Sequence, residues 1–403
     1  MDRCTHSSSR ILRWMPTGAI VIALAVVATA QPSPSDPQSL PRMQSSSQSL
    51  VTAPSDSDQA KPWRIGPMEV SGLLDGYYSY NANGPSTAAN GKINDLYNFD
   101  DKTNQFNMSA AKLTLNHDPS PLGARIDLYY GRTSHLINTP GQLEFFEQSY
   151  FSVKPRRARG FEVDAGKFVT SAGAEVIESK DNWNYSRSLL FAWAIPYYHF
   201  GLRTSMPVSK METIGVQLVN GWNNVTNSTG GVTTGLTSAF VKTKYSLNAN
   251  VYTGPETIGP QNGYRNLADL VLIVTPTARL SAYGNYDNGR QNTHAGSAEE
   301  TSGATYSWQG IAFAAREQLT RTMAVAGRSE YFKDAQGYCT GVAQNVKEIT
   351  GTYEYRTAQG LMGRLEYRRD WSDQPYFHRG GTQMIDHQQT LTLGMVMAFT
   401  PKR

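Results

Sequence analysis

Residues 361–370 read LMGRLEYRRD. In an extended chain successive side chains point to opposite sides, so Arg364, Glu366, Arg368 and Asp370 share one face and Leu365 and Tyr367 the other. The stretch 124–130 behaves alike. Ala124, Ile126, Leu128 and Tyr130 alternate with Arg125, Asp127 and Tyr129. Near the end of the chain, Leu391, Leu393, Met395, Met397 and Phe399 lie opposite Thr390, Thr392, Gly394 and Ala398. One apolar face per strand fits either the core of a soluble sandwich or the lipid side of a barrel. The rest of the chain decides between them.

The 403 residues hold 39% hydrophobic and only 17% charged side chains, and the mean hydropathy is −0.45. This excludes a polytopic helical membrane protein. Charge is below the roughly one quarter usual for soluble domains, and Gly, Tyr, Asn, Ser and Thr replace it, a mix that favours strands and turns. From residue 65 onward about sixteen strand-length segments follow one another, an even number. The ninth, Asn248–Thr253, is the shortest. Their connections alternate in length. Tight turns at Asp118–Pro121, Pro155–Arg159, Pro207–Lys210, 275–277 and 357–360 interleave with long links at 81–104, 132–142, 170–195, 221–234, 254–266, 287–307, 334–345 and 371–386. Up-and-down strands crossing a membrane give this pattern, with short turns at one rim and long loops at the other, whereas Greek-key connections have no reason to. The aromatic pairs Tyr77-Tyr78, Tyr129-Tyr130, Tyr197-Tyr198 and Tyr331-Phe332 fit the two interfacial girdles.

The fold expected is therefore all-β: a transmembrane antiparallel up-and-down β-barrel of about 16 strands, with long extracellular loops and short periplasmic turns. Closure leaves no backbone group unpaired in hydrocarbon, and a barrel of this width encloses polar space for its inward charges.

Residues 1–30 read as a cleaved signal peptide. Arg3, Arg10 and Arg13 precede the short apolar run 19–28, and the small residues Ala28-Thr29-Ala30 follow it. Residues 31–64 are rich in Ser, Pro and Gln and read as a disordered linker, and 65–403 as the barrel. Cys339 alone remains after the signal, so no internal disulfide is expected. The formal charge of +4, half of it in the signal, gives no sign of nucleic-acid binding.

The chain resembles the OmpL-like beta-barrel porins of Gram-negative outer membranes. The likeness is carried by Gly166-Lys167-Phe168, Asn184 to Ser188, Pro196 to Gly201, Val219 to Asn223, Gly254-Pro255-Glu256, Arg364 to Arg368 and Gln388 to Gly394. It implies a diffusion pore. The chain departs from such barrels at its end, where Phe399 is followed by Thr400-Pro401-Lys402-Arg403 instead of closing on an aromatic residue.

Loop 170–195 is the longest connection, and sixteen-stranded porins commonly fold the corresponding loop into the lumen. Its Glu175, Glu178 and Asp181, with Arg187, then oppose wall residues Lys112, Arg125, Arg328, Arg364, Glu366 and Arg368. Opposed acids and bases across a narrow pore make a transverse field. The polar half, Asp181 to Arg187, is expected to face the pore. The apolar half, Leu189 to Ile195, packs inside the barrel or joins the outer girdle.

Other chemistry is weakly signalled. His199 lies near Ser186 and Ser188, but no G-x-S-x-G elbow occurs, so no enzyme is expected. Asn94, Asp95, Asn98, Asp100 and Asp101 form an oxygen-rich loop without EF-hand spacing, and no metal or cofactor is expected. The function expected is an outer-membrane porin: a passive channel for small hydrophilic solutes or ions, seated in outer-membrane lipid, as a monomer or a homotrimer. The alternatives are a barrel with an adhesive or structural role and a secreted all-β carbohydrate-binding protein or enzyme.

Overall fold

The computed structural model describes residues 63–86, 92–138, 141, 143–227, 229–258, 261–293 and 303–399. The expected signal peptide, nearly all of the expected linker and the C-terminal Thr400–Arg403 lie outside these. The linker's last two residues, Trp63 and Arg64, are described. With Ile65 they form a short strand that pairs with Met68–Val70.

Sixteen antiparallel strands make the barrel: β1 Met68–Asn81, β2 Phe106–His117, β3 Leu122–Tyr130, β4 Phe146–Val153, β5 Glu162–Val169, β6 Tyr198–Pro207, β7 Glu212–Val219, β8 Thr233–Lys242, β9 Tyr245–Ile258, β10 Gln261–Val274, β11 Leu280–Thr293, β12 Thr305–Gln318, β13 Met323–Asp334, β14 Gln344–Arg356, β15 Leu361–Ser372 and β16 His387–Phe399. Each pairs with its neighbour in the chain. The barrel closes where β16 meets β1, from Thr390 opposite Asn81 to Phe399 opposite Gly72.

The expected strands are present, but several extend further. β9 and β10 continue as one hairpin through the expected loop 254–266. β11 and β12 run well into the expected loop 287–307. Here both faces are polar, as in Asp287-Asn288-Gly289-Arg290-Gln291-Asn292. The apolar alternation that marks a strand stops before the ladder does.

Alternation decides what faces lipid. Leu365, Tyr367, Leu391, Leu393 and Met395 are exposed on the outside, while Arg364, Glu366, Arg368, Thr390 and Thr392 are buried inside. The same rule splits the aromatic pairs. Tyr130 and Tyr331 face outward, whereas Tyr129 and Phe332 point into the lumen and are buried. Tyr197 and Tyr198 are both buried. Only part of the expected girdle is therefore girdle. The rest packs the interior.

Candidate functional site

The interior has two unlike halves. The inner faces of β13 to β15 and β1 to β5 carry charge: Arg328, Glu330, Glu348, Glu354, Arg364, Glu366, Arg368, Asp370, Asp75, Lys112, Asp127, Glu147 and Asp164. The inner faces of β9 to β14 also supply Tyr252, Leu267, Val271, Tyr283, Trp308, Ala312, Phe332 and Val346, which join one apolar cluster. The segment between β5 and β6, residues 170–197, enters the lumen and matches both halves. Its polar part lies against the charged wall. Its apolar part, wound into a π-helical turn at Leu190–Ala194, packs in the apolar cluster through Leu189, Leu190, Phe191, Ala194 and Ile195. Phe191 and Trp193 thus point inward, and the indole N–H of Trp193 donates to the Leu96 carbonyl at 3.0 Å.

The polar part is held mainly through its backbone. Glu366 accepts the N–H groups of Tyr185 at 2.5 Å and Ser186 at 2.9 Å. Glu330 accepts those of Leu189 at 3.1 Å and Leu190 at 3.2 Å, where the helical turn begins with unpaired donors. Arg364 donates to the carbonyls of Ser179, Asn182 and Asn184 while bound to Glu354. Arg368 donates to the Arg187 carbonyl at 2.8 Å. Arg328 donates to the Ser186 carbonyl at 2.7 Å and pairs with Glu175 at 2.8 Å. Asp75 accepts the hydroxyls of Ser179 at 2.5 Å and Tyr185 at 2.6 Å.

Two glycines make room. Gly394 on β16 lies directly under the Tyr185 ring, where any added Cβ would collide with ring carbons. A Cβ on Gly310 of β12 would come within 2.6 Å of Leu190 Cδ1.

The first long loop closes over this segment. Asn98 donates to the Ala192 carbonyl at 3.0 Å. The Phe99 ring packs on Phe191 and under the Arg187 guanidinium, and Arg368 sits 4.2 Å over the Tyr97 ring. Burial next to Glu366 pushes the Asp100 carboxyl up to about 7.

The ten residues singled out from the sequence divide accordingly. Glu175, Glu178, Arg187, Lys112, Arg328, Arg364, Glu366 and Arg368 come together, but as direct contacts. Glu178 pairs with Lys112, which also holds Glu147 and Asp127. Arg125 binds Asp127 on its own strand, and Asp181 binds its neighbour Lys180. The picture of charges opposed across open water is corrected. Acids and bases touch, and of the half from Asp181 to Arg187, expected to be wet, all but Asp181 is buried. The cause is that a loop backbone brought inside needs partners for its N–H and C=O groups, and the wall charges supply them. Sequence reasoning missed Glu330, Glu348, Asp75 and the whole first loop. Glu330 was within reach, since it shares a strand face with Arg328.

The weaker candidates are occupied elsewhere. His199 Nδ1 lies 3.1 Å from the Gly221 carbonyl, and its ring stacks on Tyr252. Ser188 Oγ accepts the Phe191 N–H, and Ser186 Oγ accepts from Arg328. In the oxygen-rich loop, Asp95 holds the His378 N–H, Asp101 pairs with Arg132, and Asn94 donates to Ser79.

A closed sixteen-stranded barrel with an apolar outer face and a long loop folded into a polar lumen defines the porin class of outer-membrane β-barrels. The sequence matches the family described as "Putative beta-barrel porin-2, OmpL-like" over residues 67–399, and the chain belongs to that family. No curated protein matches it significantly. Among solved structures it is similar to an anion-selective porin from Comamonas acidovorans, with TM-score 0.57, 12% identity, and 82% of this chain and 99% of that one covered. It is also similar to the outer membrane channel DcaP of Acinetobacter baumannii, with TM-score 0.58, 10% identity, and 85% and 100% covered. A third is the trimer form of OmpT, an outer membrane protein of Vibrio cholerae, with TM-score 0.51, 10% identity, and 82% and 99% covered. At these identities the likeness establishes the fold.

Proposed function

We propose that the protein is a passive outer-membrane diffusion channel for small hydrophilic solutes, exported by residues 1–30, with its short turns in the periplasm. Its passage is narrow because segment 170–197 and the first long loop occupy the lumen. The observation that carries this is the infolded segment itself, whose backbone is bonded to wall charges from β13 and β15 and whose Ser179 hydroxyl donates to Asp75 of β1. A homotrimer is the assembly proposed, in line with the trimer form among the similar structures. Purified, folded protein added to a planar bilayer should give stepwise ion conductance. Insertion without steps overturns the open-channel reading.

A second reading has a specific support: the inward side chains of β11 to β15 are buried almost throughout. In that reading the barrel rests closed and conducts only when the segment is loosened. Wild-type protein would then be silent, and variants that free residues 182–190 would conduct. A barrel with an adhesive or structural role would be silent in both.

A further inference from the structure

Charge is distributed unevenly between the two rims of the barrel. The seven short turns, from the one joining β2 to β3 to the one joining β14 to β15, hold eight Lys or Arg and a single acid, Asp118. That excess is larger than the +4 of the whole chain. The β4–β5 turn alone supplies Lys154, Arg156, Arg157 and Arg159. Each of the next four supplies one base: Lys210, Lys244, Arg279 and Arg321. These five turns are consecutive around the barrel, because each strand pairs with its neighbour in the chain. The bases therefore form one arc from β4 to β13. Lys154 pairs with Glu162 at 3.1 Å. The other seven are exposed and form no ion pair among the described residues. The long-loop rim is mixed in sign, as in the last long loop, where exposed Arg379 lies between exposed Asp373 and Asp386.

What lies beside the arc identifies its partner. On every one of these turns the bases begin where the exposed apolar band ends. Val153 precedes the first turn, Met211 follows Lys210, Tyr245 follows Lys244, Leu280 follows Arg279, and Leu319 lies two residues before Arg321. Lys242, the last residue of β8, shows the arrangement in detail. Its Nζ lies 5.6 Å from the centre of the Phe240 ring and 5.5 Å from that of Tyr245. The stem thus covers apolar surface while the charge reaches past it. The turns run from two to eight residues, too short to carry their charge far from the edge of the hydrocarbon. That edge is the level of the lipid headgroups.

We propose that this arc is a binding surface for the phosphate headgroups of anionic phospholipids in the leaflet beside the short turns. The proposal rests on the membrane seating given above, which puts that leaflet on the periplasmic side. Unpaired Lys and Arg at headgroup level attract anionic lipid in proportion to their number. Five basic turns in a row therefore gather a shell of such lipid along the β4 to β13 side. The partner is lipid and not a polyanion of the surrounding water, because the bases are joined to the apolar band on each turn.

The test uses the folded chain inserted in mixed phosphatidylcholine–phosphatidylglycerol vesicles at neutral pH. Spin-labelled phosphatidylglycerol or phosphatidylcholine is added, and the fraction of label immobilised against the protein is read. The bilayer is symmetric, so neither conductance nor the direction of insertion enters the result, and the channel reading can fail without this one. Phosphatidylglycerol should be preferred by about two- to fivefold, since one base near an anionic surface supplies about fivefold and the average over the shell is less. Salt at about 1 M should abolish the preference, a result that needs no variant. Arg156→Gln, Arg157→Gln and Arg159→Gln together should lower it. Lys333→Gln, Lys347→Gln and Arg379→Gln together, at exposed positions toward the other rim, should leave it unchanged. Equal association of both lipids with the wild-type chain overturns the proposal. So does a turn variant that keeps the wild-type preference, or an equal loss in the variant of the other rim. Co-sedimentation with purified peptidoglycan in the absence of any lipid preference also overturns it, and assigns the arc to the cell wall instead.

Discussion

Replacing Glu366 with Ala gives the sharpest measure of how firmly the infolded segment is held. Its carboxylate accepts two backbone N–H groups of the segment, from Tyr185 and Ser186, and the Thr352 hydroxyl at 2.7 Å. A hydrogen bond to a charged group contributes roughly 1.5–3 kcal/mol, so the two backbone bonds together hold the segment by about 3–6 kcal/mol. Water entering the space left by the side chain can re-solvate the freed N–H groups, which places the expected loss near the lower end. At 1.4 kcal/mol per tenfold, a loss of about 3 kcal/mol raises the population of the locally detached segment roughly a hundredfold. The barrel ladder itself is untouched, because Glu366 contributes its backbone to β15 regardless of its side chain. Two assays read the outcome. Bilayer recordings of Glu366→Ala should show larger or noisier steps than wild type. Limited trypsin digestion should cut at Arg187, which is buried in the wild-type chain. A folded variant with wild-type conductance and an uncut Arg187 refutes the argument that Glu366 holds the segment.

Gly394→Val should displace the Tyr185 ring and open the lumen in the same way, while Gly363→Ala, with nothing within 4 Å of the added Cβ, should be silent in conductance. The docked first loop should be pH-sensitive through Asp100, pushed by burial up to about 7 from an ordinary 3.8. The docked state keeps a proton that the released loop gives up, so docking is strongest below about pH 4 and weakens as pH rises to 7, by on the order of 4 kcal/mol in the limit. Conductance should therefore grow across that window and lose the dependence in Asp100→Asn. On the lipid face, Leu393→Arg should destabilise the inserted barrel by roughly 2–4 kcal/mol if that residue sits near the midplane. Reversible unfolding from lipid vesicles checks this.

Much of the fold was legible because a period of two is a strong constraint. LMGRLEYRRD sorted Arg364, Glu366, Arg368 and Asp370 from Leu365 and Tyr367, and the barrel keeps them sorted, with Arg369 the one charge on the outer face of the stretch. Strand ends were not legible in β9 to β12, where the ladder outlasts the apolar band and both faces turn polar. The location of the site was legible from the length and charge of segment 170–195. Its bonding was not, since it depends on which wall residues lie opposite after closure. Glu366 meets Tyr185 across 181 positions of chain, and no local pattern carries that information. The fate of Leu189 to Ile195 turned on the same point. Its apolar character fitted lipid or interior equally, and only the apolar patch built by Tyr252, Trp308 and Phe332 decides for the interior.

The order of the chain also dictates an order of assembly. Segment 170–197 is made before any of β6 to β16, yet its partners on Arg328, Glu330, Arg364, Glu366 and Arg368 belong to β13 and β15. Until those strands have formed and β16 has zipped onto β1, the segment has only Asp75 of β1 and Lys112 of β2 to hold it, and its apolar stretch is without its wall. Contacts of such long sequence separation are slow to form. The infolded segment is therefore a late event in maturation, and its protection from protease marks the moment at which the barrel has shut.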